Sequence, residues 1–220
     1  TGTWFIDNPQ RGRSNNSALL LRGETSKEQF AELMKSVKEF GEPGFVWSDS
    51  TELLVNPCVE IGMWPVCEKT KESGWQACNL STINCAKIKT EQDFFDACRA
   101  ATIIGTLQAG FSEFEYLGGA SERIISREAL LGVSMTGIME QHDICLDPTA
   151  QRRGASIVKK TNKNIADMIG INQAARTTCI KPEGTSSCIL GTSSGIHPHH
   201  AKRYIRRVQA NKMEPIYNYY

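Results

Sequence analysis

One stretch decides how the chain is interpreted: Val55-Asn56-Pro57-Cys58-Val59-Glu60-Ile61, in which polar or reactive side chains alternate with apolar ones. Asn56 precedes a proline, which disfavours helical geometry and favours an extended chain. Because alternate residues of an extended chain project to one side, we expect Asn56, Cys58 and Glu60 to share a face. The other face would then carry the apolar residues Val55, Pro57, Val59 and Ile61.

This predicted face places a thiol between an amide and a carboxylate, which suits chemistry on a sugar. A carboxylate can accept a hydroxyl proton while an amide holds a neighbouring hydroxyl and the sulfur works between them. The alternation also fits a half-buried edge strand in which Asn56 and Glu60 face water and Cys58 packs between them. On the pattern alone this structural interpretation is favoured, so the exact string of residues has to decide.

A second polar segment, Lys181-Pro182-Glu183-Gly184-Thr185-Ser186-Ser187, follows a predicted strand at 177–180 and opens a predicted helix. The N–H groups and dipole of a helix N-terminus, with short hydroxyl side chains, form an anion site for which phosphate is a natural ligand. The alternative is an ordinary helix cap formed by Thr185 or Ser186. Three histidines follow in a turn-like stretch without a carboxylate cluster, and we expect structural or surface roles for them: His197, His199 and His200.

Composition restricts the class of protein. The 220 residues include 25 basic and 24 acidic side chains, a formal net charge of +1, which gives no field to attract nucleic acid or an anionic membrane. No run approaches the roughly 18 apolar residues of a membrane span, and residues 1–4 lack the pattern of a signal peptide. We therefore expect a cytoplasmic protein with one large domain, or part of one.

The cysteine count is raised, at eight. No C-x-x-C pair occurs, which argues against structural zinc, and we predict no metal site. The chain's length and the lack of a signal argue against a secreted disulfide framework. Cys98, Cys145 and Cys188 are predicted to be small core hydrophobes.

Periodicity predicts a mixed α/β layer architecture. A capping box of Thr25 and Glu28 is predicted to start the first helix, and Gly41 to end it. Strands are expected at 14–21, 51–55 and 177–180, and helices at 26–40, 91–108, 127–140 and 163–169.

The string Asn-Pro-Cys-x-Glu-Ile at 56–61 resembles the finger-loop motif of ribonucleotide reductases. In that family a cysteine at the tip of a loop, inside a ten-stranded α/β barrel, becomes a thiyl radical. The resemblance implies a finger loop at about 55–61 in which Cys58 removes the 3′ hydrogen of the substrate ribose. It also implies that Glu60 takes the 3′-hydroxyl proton and that Asn56 hydrogen-bonds to the ribose hydroxyls.

Reduction of a ribose C–OH consumes two electrons and a proton, which a pair of thiols supplies by forming a disulfide. The string Cys-Asn-Leu-Ser at 78–81 resembles the reductase strand that carries one member of this pair, so Cys78 is the candidate. Its rival, Cys67, is closer to Cys58 in sequence but is predicted to lie in a solvated loop. In the family the partner thiol belongs to a strand upstream of the finger loop, and no residue here is assigned to it.

Pro-Glu-Gly-Thr-Ser-Ser at 182–187, followed by Gly-Thr-Ser-Ser-Gly-Ile-His-Pro at 191–198, resembles the reductase segment that cradles the substrate phosphates. The resemblance implies a phosphate loop at about 181–187. It assigns phosphate contacts to five residues: Glu183, Gly184, Thr185, Ser186 and Ser187.

Gly195-Ile196-His197 followed by Tyr204-Ile205-Arg206 is most similar to the cobalamin-dependent ribonucleoside-triphosphate reductases. This similarity implies adenosylcobalamin as cofactor, a ribonucleoside tri- or diphosphate as substrate and an external dithiol such as thioredoxin as reductant. The alternative is a class I diphosphate reductase, which needs a tyrosine relay from a metal-containing small subunit. Tyr219 and Tyr220 would suit such a relay, but we predict that they pack with Tyr217 as aromatic core.

By the standards of this family, residues 1–220 form a single partial catalytic barrel domain, and the expected partner is the upstream half of the reductase. Two further readings stay open. One is a noncatalytic nucleotide-binding or assembly module that keeps the phosphate loop for structure. The other is a thiol-redox protein, which the lack of a C-x-x-C pair makes less favoured.

Overall fold

The computed structural model describes residues 7–199, 201–203, 205 and 210–219, and within them the chain is mixed α/β. The strands are β1 (Ser17–Leu21), β2 (Gly44–Ser48), β3 (Leu54–Val55), β4 (Gly62–Met63), β5 (Asn79–Asn84) and β6 (Leu131–Thr136). The helices are α1 (Lys27–Phe40), α2 (Glu91–Ala109), α3 (Gly118–Glu128), α4 (His142–Cys145), α5 (Pro148–Ile169), α6 (Gly184–Leu190) and α7 (Pro215–Tyr219). Short 3-10 turns occur at Pro9–Arg13, Cys85–Lys87 and Ile138–Gln141.

Strands β1 and β2 run parallel and are joined by α1, as expected for a crossover connection. The capping box predicted for this helix is displaced by one residue: Ser26, not Thr25, accepts the backbone N–H of Gln29, whose side chain accepts the N–H of Ser26. Gly41 ends the helix in the left-handed region at φ 73°, as predicted.

The main core lies between the parallel pair β5–β6 and the helices α2 and α5. Its buried side chains include Ile83, Phe94, Cys98, Val133 and Val158. Each large apolar side chain of this kind stabilises the fold by about 1.5–3 kcal/mol. The core therefore holds β5 and β6, which lie behind the candidate site, in a fixed arrangement.

The prediction of a single helix at 127–140 is wrong. Helix α3 ends at Glu128, and the strand β6 follows, with five of its six residues buried. The six residues at 131–136 alternate apolar with small or polar side chains, a period of two that is typical of a strand and that the helix prediction overlooked. The helix predicted at 163–169 is the last part of α5, which begins after the N-cap Asp147.

The predicted strand at 177–180 is an extended run beside β6. Val133 N–H donates to the carbonyl of Thr177 at 3.0 Å, and Cys179 N–H donates to the carbonyl of Val133 at 3.1 Å. A single parallel bridge joins Val133 and Thr178. The run thus lies as a third parallel segment next to β6, and its end delivers Lys181 to the site.

The structure also tests the predictions made for individual cysteines and tyrosines. Cys98 and Cys145 are buried as predicted, but Cys188 is exposed, so its core assignment is wrong. Tyr217 and Tyr219 are also exposed, by 45% and 84%, which contradicts their packing as aromatic core. His200, Tyr204, Arg206, Tyr220 and residues 1–4 lie outside the described residues.

Within the described ranges, no helix is long and apolar enough to cross a membrane. No group of three or more His, Cys, Asp or Glu side chains in the same ranges could hold a metal ion.

Candidate active site

The cysteine segment forms the loop of a β-hairpin, not the extended strand that its alternation predicts. Strands β3 and β4 pair antiparallel, with Val55 opposite Gly62. The N–H of Val59 donates to the carbonyl of Asn56 at 2.9 Å, which closes a turn with Pro57 in its second position, where proline is favoured. Val59 takes φ 65° and is 45% exposed, so it does not pack on an inner face.

Asn56 holds the two ends of this loop together. Its Oδ1 accepts the N–H of Ile61 at 3.0 Å, and its own N–H donates to the carbonyl of Ile61 at 3.3 Å. The loop therefore uses the amide oxygen of Asn56 internally. Ile61 itself is buried with Met63 and Leu130, which anchors the base of the loop while Cys58 stands exposed at its tip.

Lys181 brings Cys58 and Glu60 into one cluster. Its ammonium Nζ donates to the sulfur of Cys58 at 3.3 Å and lies 3.8 Å from Oε1 of Glu60. The side chain of Glu60 is only 1% exposed, and neither carboxylate oxygen has a hydrogen-bond partner among the residues that the structure describes. A buried carboxylate left without donors is costly, so it stands ready to bind a donor supplied by a ligand.

Two half-buried thiols, Cys78 and Cys179, pack against the cluster of Ile61, Met63 and Leu130 behind the loop. Burial, helped by the charges of Cys179 and Glu60, raises the pKa of Cys78 to about 12. Burial and the charge of Glu60 likewise raise the pKa of Cys179 to about 11. Both groups are therefore neutral thiols at pH 7.

Cys67, the rival of Cys78, is buried and not in a solvated loop as predicted. Arg123 Nε donates to its sulfur at 3.2 Å. Hydrogen bonds from Thr70 and Arg123 outweigh burial and lower the pKa of Cys67 to about 6. The thiolate of Cys67 is thus held in a structural contact with α3.

The predicted phosphate segment does open a helix, α6, as expected. Glu183 is its N-cap, in the left-handed region at φ 55°, and no side chain caps the helix. The ordinary cap by Thr185 or Ser186 is therefore not formed. The hydroxyl of Ser187 donates to the carbonyl of Gly184 at 3.1 Å, which holds it within the helix.

The carboxylate of Glu183 turns inward, and the residue is 2% exposed. The hydroxyl of Thr82 donates to its Oε1 at 2.6 Å, and the hydroxyl of Ser186 donates to its Oε2. Both carboxylate oxygens are thereby satisfied within the protein. The Glu183 side chain ties the segment to β5, and the first backbone N–H groups of α6 have no side-chain cap.

The segment 191–198 packs behind the phosphate segment. The N–H of Gly195 donates to the carbonyl of Pro182 at 3.0 Å, and a Cβ at Gly195 would collide with the carbonyl oxygen of Lys181. Only glycine allows this close approach. The two strings at 182–187 and 191–198 therefore form one packed unit.

Three residues at the site were not predicted from the sequence: Lys181, Thr82 and Cys179. Lys181 lies 123 positions from Cys58, so no local spacing could join them. Thr82 could have been suspected from its position in β5, four residues after Cys78. Cys179 gave no signal, because a lone cysteine in a predicted strand is usually a core residue.

No protein-family model matches the chain. A probable adenosylcobalamin-dependent ribonucleoside-triphosphate reductase of Dictyostelium discoideum is 25% identical over 93% of this chain and 28% of the relative. The adenosylcobalamin-dependent ribonucleoside-triphosphate reductase of Lactobacillus helveticus is 23% identical, over 94% of this chain and 32% of the relative. The corresponding reductase of Euglena gracilis is 25% identical over 92% of this chain and 28% of the relative.

A crystal structure of a B-12-dependent (class II) ribonucleotide reductase superposes with a TM-score of 0.59 at 19% identity, over 90% of this chain and 32% of that protein. The fold of the chain is thus shared with a part of that enzyme. This chain spans about a third of the length of such proteins. The resemblance predicted from the motifs is confirmed: the chain is a relative of the adenosylcobalamin-dependent ribonucleoside-triphosphate reductases.

Proposed function

We propose that the chain forms part of the ten-stranded catalytic barrel of a ribonucleotide reductase and supplies its radical cysteine, Cys58. The reaction would convert ribonucleoside triphosphates to 2′-deoxyribonucleotides. One observation carries the proposal: an exposed thiol and a buried carboxylate without a hydrogen-bond partner meet at one ammonium group. The names of the relatives support the triphosphate as substrate.

In the proposed reaction, the thiyl form of Cys58 takes the hydrogen atom from C3′, which forms its S–H bond and leaves a radical on the ribose. Glu60 accepts the proton of the 3′-hydroxyl. The amide nitrogen of Asn56 can donate to a ribose hydroxyl, since Oδ1 of Asn56 is used within the loop. Cys58 returns its hydrogen atom to C3′ at the end.

Cys78 would supply reducing equivalents together with a second thiol. The two thiols lose two hydrogens and become a disulfide, while the 2′-hydroxyl leaves as water and a hydrogen takes its place on C2′. The raised pKa of Cys78 keeps its sulfur protonated, as a proton donor must be. An external dithiol such as thioredoxin would then reduce the disulfide.

The substrate phosphates would bind at the start of α6. The backbone N–H groups of Gly184, Thr185 and Ser186 lead a helix that no side chain caps, which leaves them for an anion. Glu183 would act through its backbone and by fixing the loop, since its carboxylate is buried. Ser187, whose N–H donates to the carbonyl of Glu183 at 3.2 Å, would contribute by fixing the first turn of α6.

Adenosylcobalamin, the cofactor in the names of the relatives, would supply the radical when bound. The chain fits this need on one point: the sulfur of Cys58 stands exposed at a loop tip, where a group held by other parts of the barrel can approach it. The upstream part of the reductase is the proposed partner. All eight cysteines are free thiols, which supports the proposed cytoplasmic location.

The test is deoxyribonucleotide formation by this chain expressed with the coding region that adjoins it. CTP and CDP would each be supplied with a dithiol, with and without adenosylcobalamin. We expect dCTP from CTP only when adenosylcobalamin is present. Activity that instead requires a metal-loaded small subunit would make the protein a class I reductase, and no product under either condition would favour a noncatalytic nucleotide-binding module.

A further inference from the structure

We propose that Lys181 is a positioning residue of this site, whose ammonium group holds the sulfur of Cys58 and the carboxylate of Glu60 in their working arrangement. The inference rests on the proposed function. It assigns a role in the site to a residue that lies outside the finger loop. Lys181 would act through Cys58 and Glu60, without touching the reacting atoms itself.

The backbone of Lys181 is fixed from two sides. Its N–H donates to the hydroxyl of Ser134 in β6 at 3.2 Å, and Ser134 is 1% exposed. Its carbonyl oxygen lies against Gly195, where no Cβ can fit. The stem of the side chain therefore starts from a rigid point next to the buried sheet.

The finger loop, by contrast, has few internal contacts that fix its conformation. The strands β3 and β4 pair over only two residues each, and a two-stranded hairpin is marginally stable in isolation. Asn56 closes the base of the loop, but Cys58 at the tip is exposed. The 3.3 Å contact from Lys181 Nζ thus connects the tip to the rigid part of the chain.

The charges around Lys181 favour the same role. Its side chain is 20% exposed and faces Cys58, Glu60 and Glu183. Burial lowers the pKa of Lys181, but the contacts with these three groups outweigh burial and raise the pKa above its usual value. Lys181 is therefore a cation at pH 7, 3.8 Å from a carboxylate that has no other partner among the described residues.

Two consequences follow for the reaction. A donor on one side of the sulfur fixes the side-chain torsion of Cys58, which sets the distance from the sulfur to the ribose. A misplacement of 1 Å can cost about 100-fold in rate. The ammonium group, 3.8 Å from Oε1 of Glu60, also limits the orientations of the carboxylate that accepts the 3′-hydroxyl proton.

The test compares Lys181→Met, which keeps the length of the side chain without its charge, with Lys181→Arg, which keeps the charge. Both are made in the complete reductase, with Lys181→Gln as a second neutral variant should the methionine variant not fold. We expect kcat to fall by about 100-fold in the neutral variants, with KM nearly unchanged because the N–H groups of α6 are intact. Lys181→Arg should restore a large part of kcat.

A second readout separates positioning from stability. Iodoacetamide alkylation at pH 8, followed by peptide mass spectrometry, gives the rate at Cys58 relative to Cys188, the other exposed thiol. Loss of the ammonium group that donates to the sulfur should change the alkylation rate of Cys58 several-fold in Lys181→Met and leave that of Cys188 unchanged. An unchanged ratio, or a loss of kcat that Lys181→Arg does not restore, would overturn the inference.

The experiments distinguish a failure of the proposed function from a failure of the inference about Lys181. A wild-type enzyme that forms no deoxyribonucleotide under any cofactor condition would overturn the proposed function and the catalytic role of Lys181 with it. The alkylation ratio would then still decide whether Lys181 controls Cys58. A wild-type enzyme that is active, beside neutral Lys181 variants with full kcat, would overturn the inference alone.

Discussion

The hydroxyl of Thr82 in β5 donates a hydrogen bond of 2.6 Å to Oε1 of Glu183, 101 residues further along the chain. This bond ties the strand that follows Cys78 to the segment proposed to bind phosphate. It thereby links the site of reduction to the site of substrate anchoring. The Glu183 carboxylate that accepts this hydrogen bond is buried, so water cannot take the place of the Thr82 hydroxyl if it is removed.

Replacing Thr82 by valine keeps the shape of the side chain and removes this donor. A buried carboxylate that loses a hydrogen bond costs about 1–3 kcal/mol, so the free energy of unfolding should fall by that amount. The displaced loop should raise KM for the nucleotide more than it lowers kcat. Urea unfolding and steady-state kinetics measure the two effects, and Thr82→Ser, which keeps the hydroxyl, is the matched control. Equal stability of the valine and serine variants would contradict the role of the bond.

Val59 takes a left-handed conformation, φ 65°, which is strained for a β-branched residue. Val59→Gly should relieve this strain and raise the free energy of unfolding by about 1 kcal/mol, after the greater flexibility of glycine in the unfolded chain is subtracted. Thermal or urea unfolding measures the change. The control Val46→Gly, in strand β2, should destabilise the protein. A fall in stability for both variants would mean that the turn at Val59 is not formed as described.

Glu60→Gln separates catalysis from stability. The substitution removes a buried charge that has no hydrogen-bond donor among the described residues, and it also removes the ion-pair partner of Lys181, 3.8 Å away. The two effects on stability oppose each other, so the free energy of unfolding should change little. The same change removes the proposed proton acceptor, and kcat should fall by about 10²–10⁴-fold. Glu52→Gln, at an exposed glutamate, should affect neither quantity. A Glu60→Gln enzyme with full kcat would show that Glu60 is not the acceptor.

The raised pKa values of Cys78 and Cys179, about 12 and 11, make stability depend on alkaline pH. An unfolded cysteine ionises near pH 8.5, so the unfolded chain releases its thiol protons first. The stabilisation is therefore complete below about pH 8.5 and is lost as the pH rises towards 11 or 12, by at most about 1.4 kcal/mol per pH unit for each thiol.

Urea unfolding at pH 8, 9 and 10 measures this dependence as the difference between variants. Cys78→Ala should show a shallower loss of stability than the wild type, since one of the two thiols is absent. Cys188→Ala, which removes an exposed thiol, should follow the wild-type curve. Identical slopes for wild type and Cys78→Ala would contradict the burial of Cys78 behind the finger loop.

The sequence predicted the identity of the site better than its geometry. Short motifs such as the one around Cys58 are specific because of the order of their residues. They indicated a resemblance to the reductases, which the similarities to known relatives support. The alternation at 55–61 misled, because a proline followed by a left-handed residue turns a chain that would otherwise be extended. Side-chain direction at Glu183 was equally out of reach, since its donor on Thr82 lies on a distant strand.

The secondary-structure predictions were likewise right in some segments and wrong in others. The amphipathic stretch at 91–108 predicted α2 almost to the residue, since one of its faces is covered and the other is not. Strand β6 was predicted as a helix although its six residues alternate apolar with small or polar side chains, so the period-two signal was present in the sequence and was missed. Lys181 was missed as a partner of Cys58 for a further reason: their contact depends on how the hairpin folds onto the sheet.

The most direct test of the central claim is deoxyribonucleotide formation by the complete reductase with Cys58→Ser, beside Cys188→Ser as the control with the other exposed thiol replaced. Both variants would be assayed with CTP, adenosylcobalamin and a dithiol. A radical cysteine cannot be replaced by a hydroxyl, so we predict no dCTP from folded Cys58→Ser and near wild-type formation from Cys188→Ser. Formation of dCTP by Cys58→Ser at the wild-type rate would contradict the assignment of Cys58 as the radical cysteine.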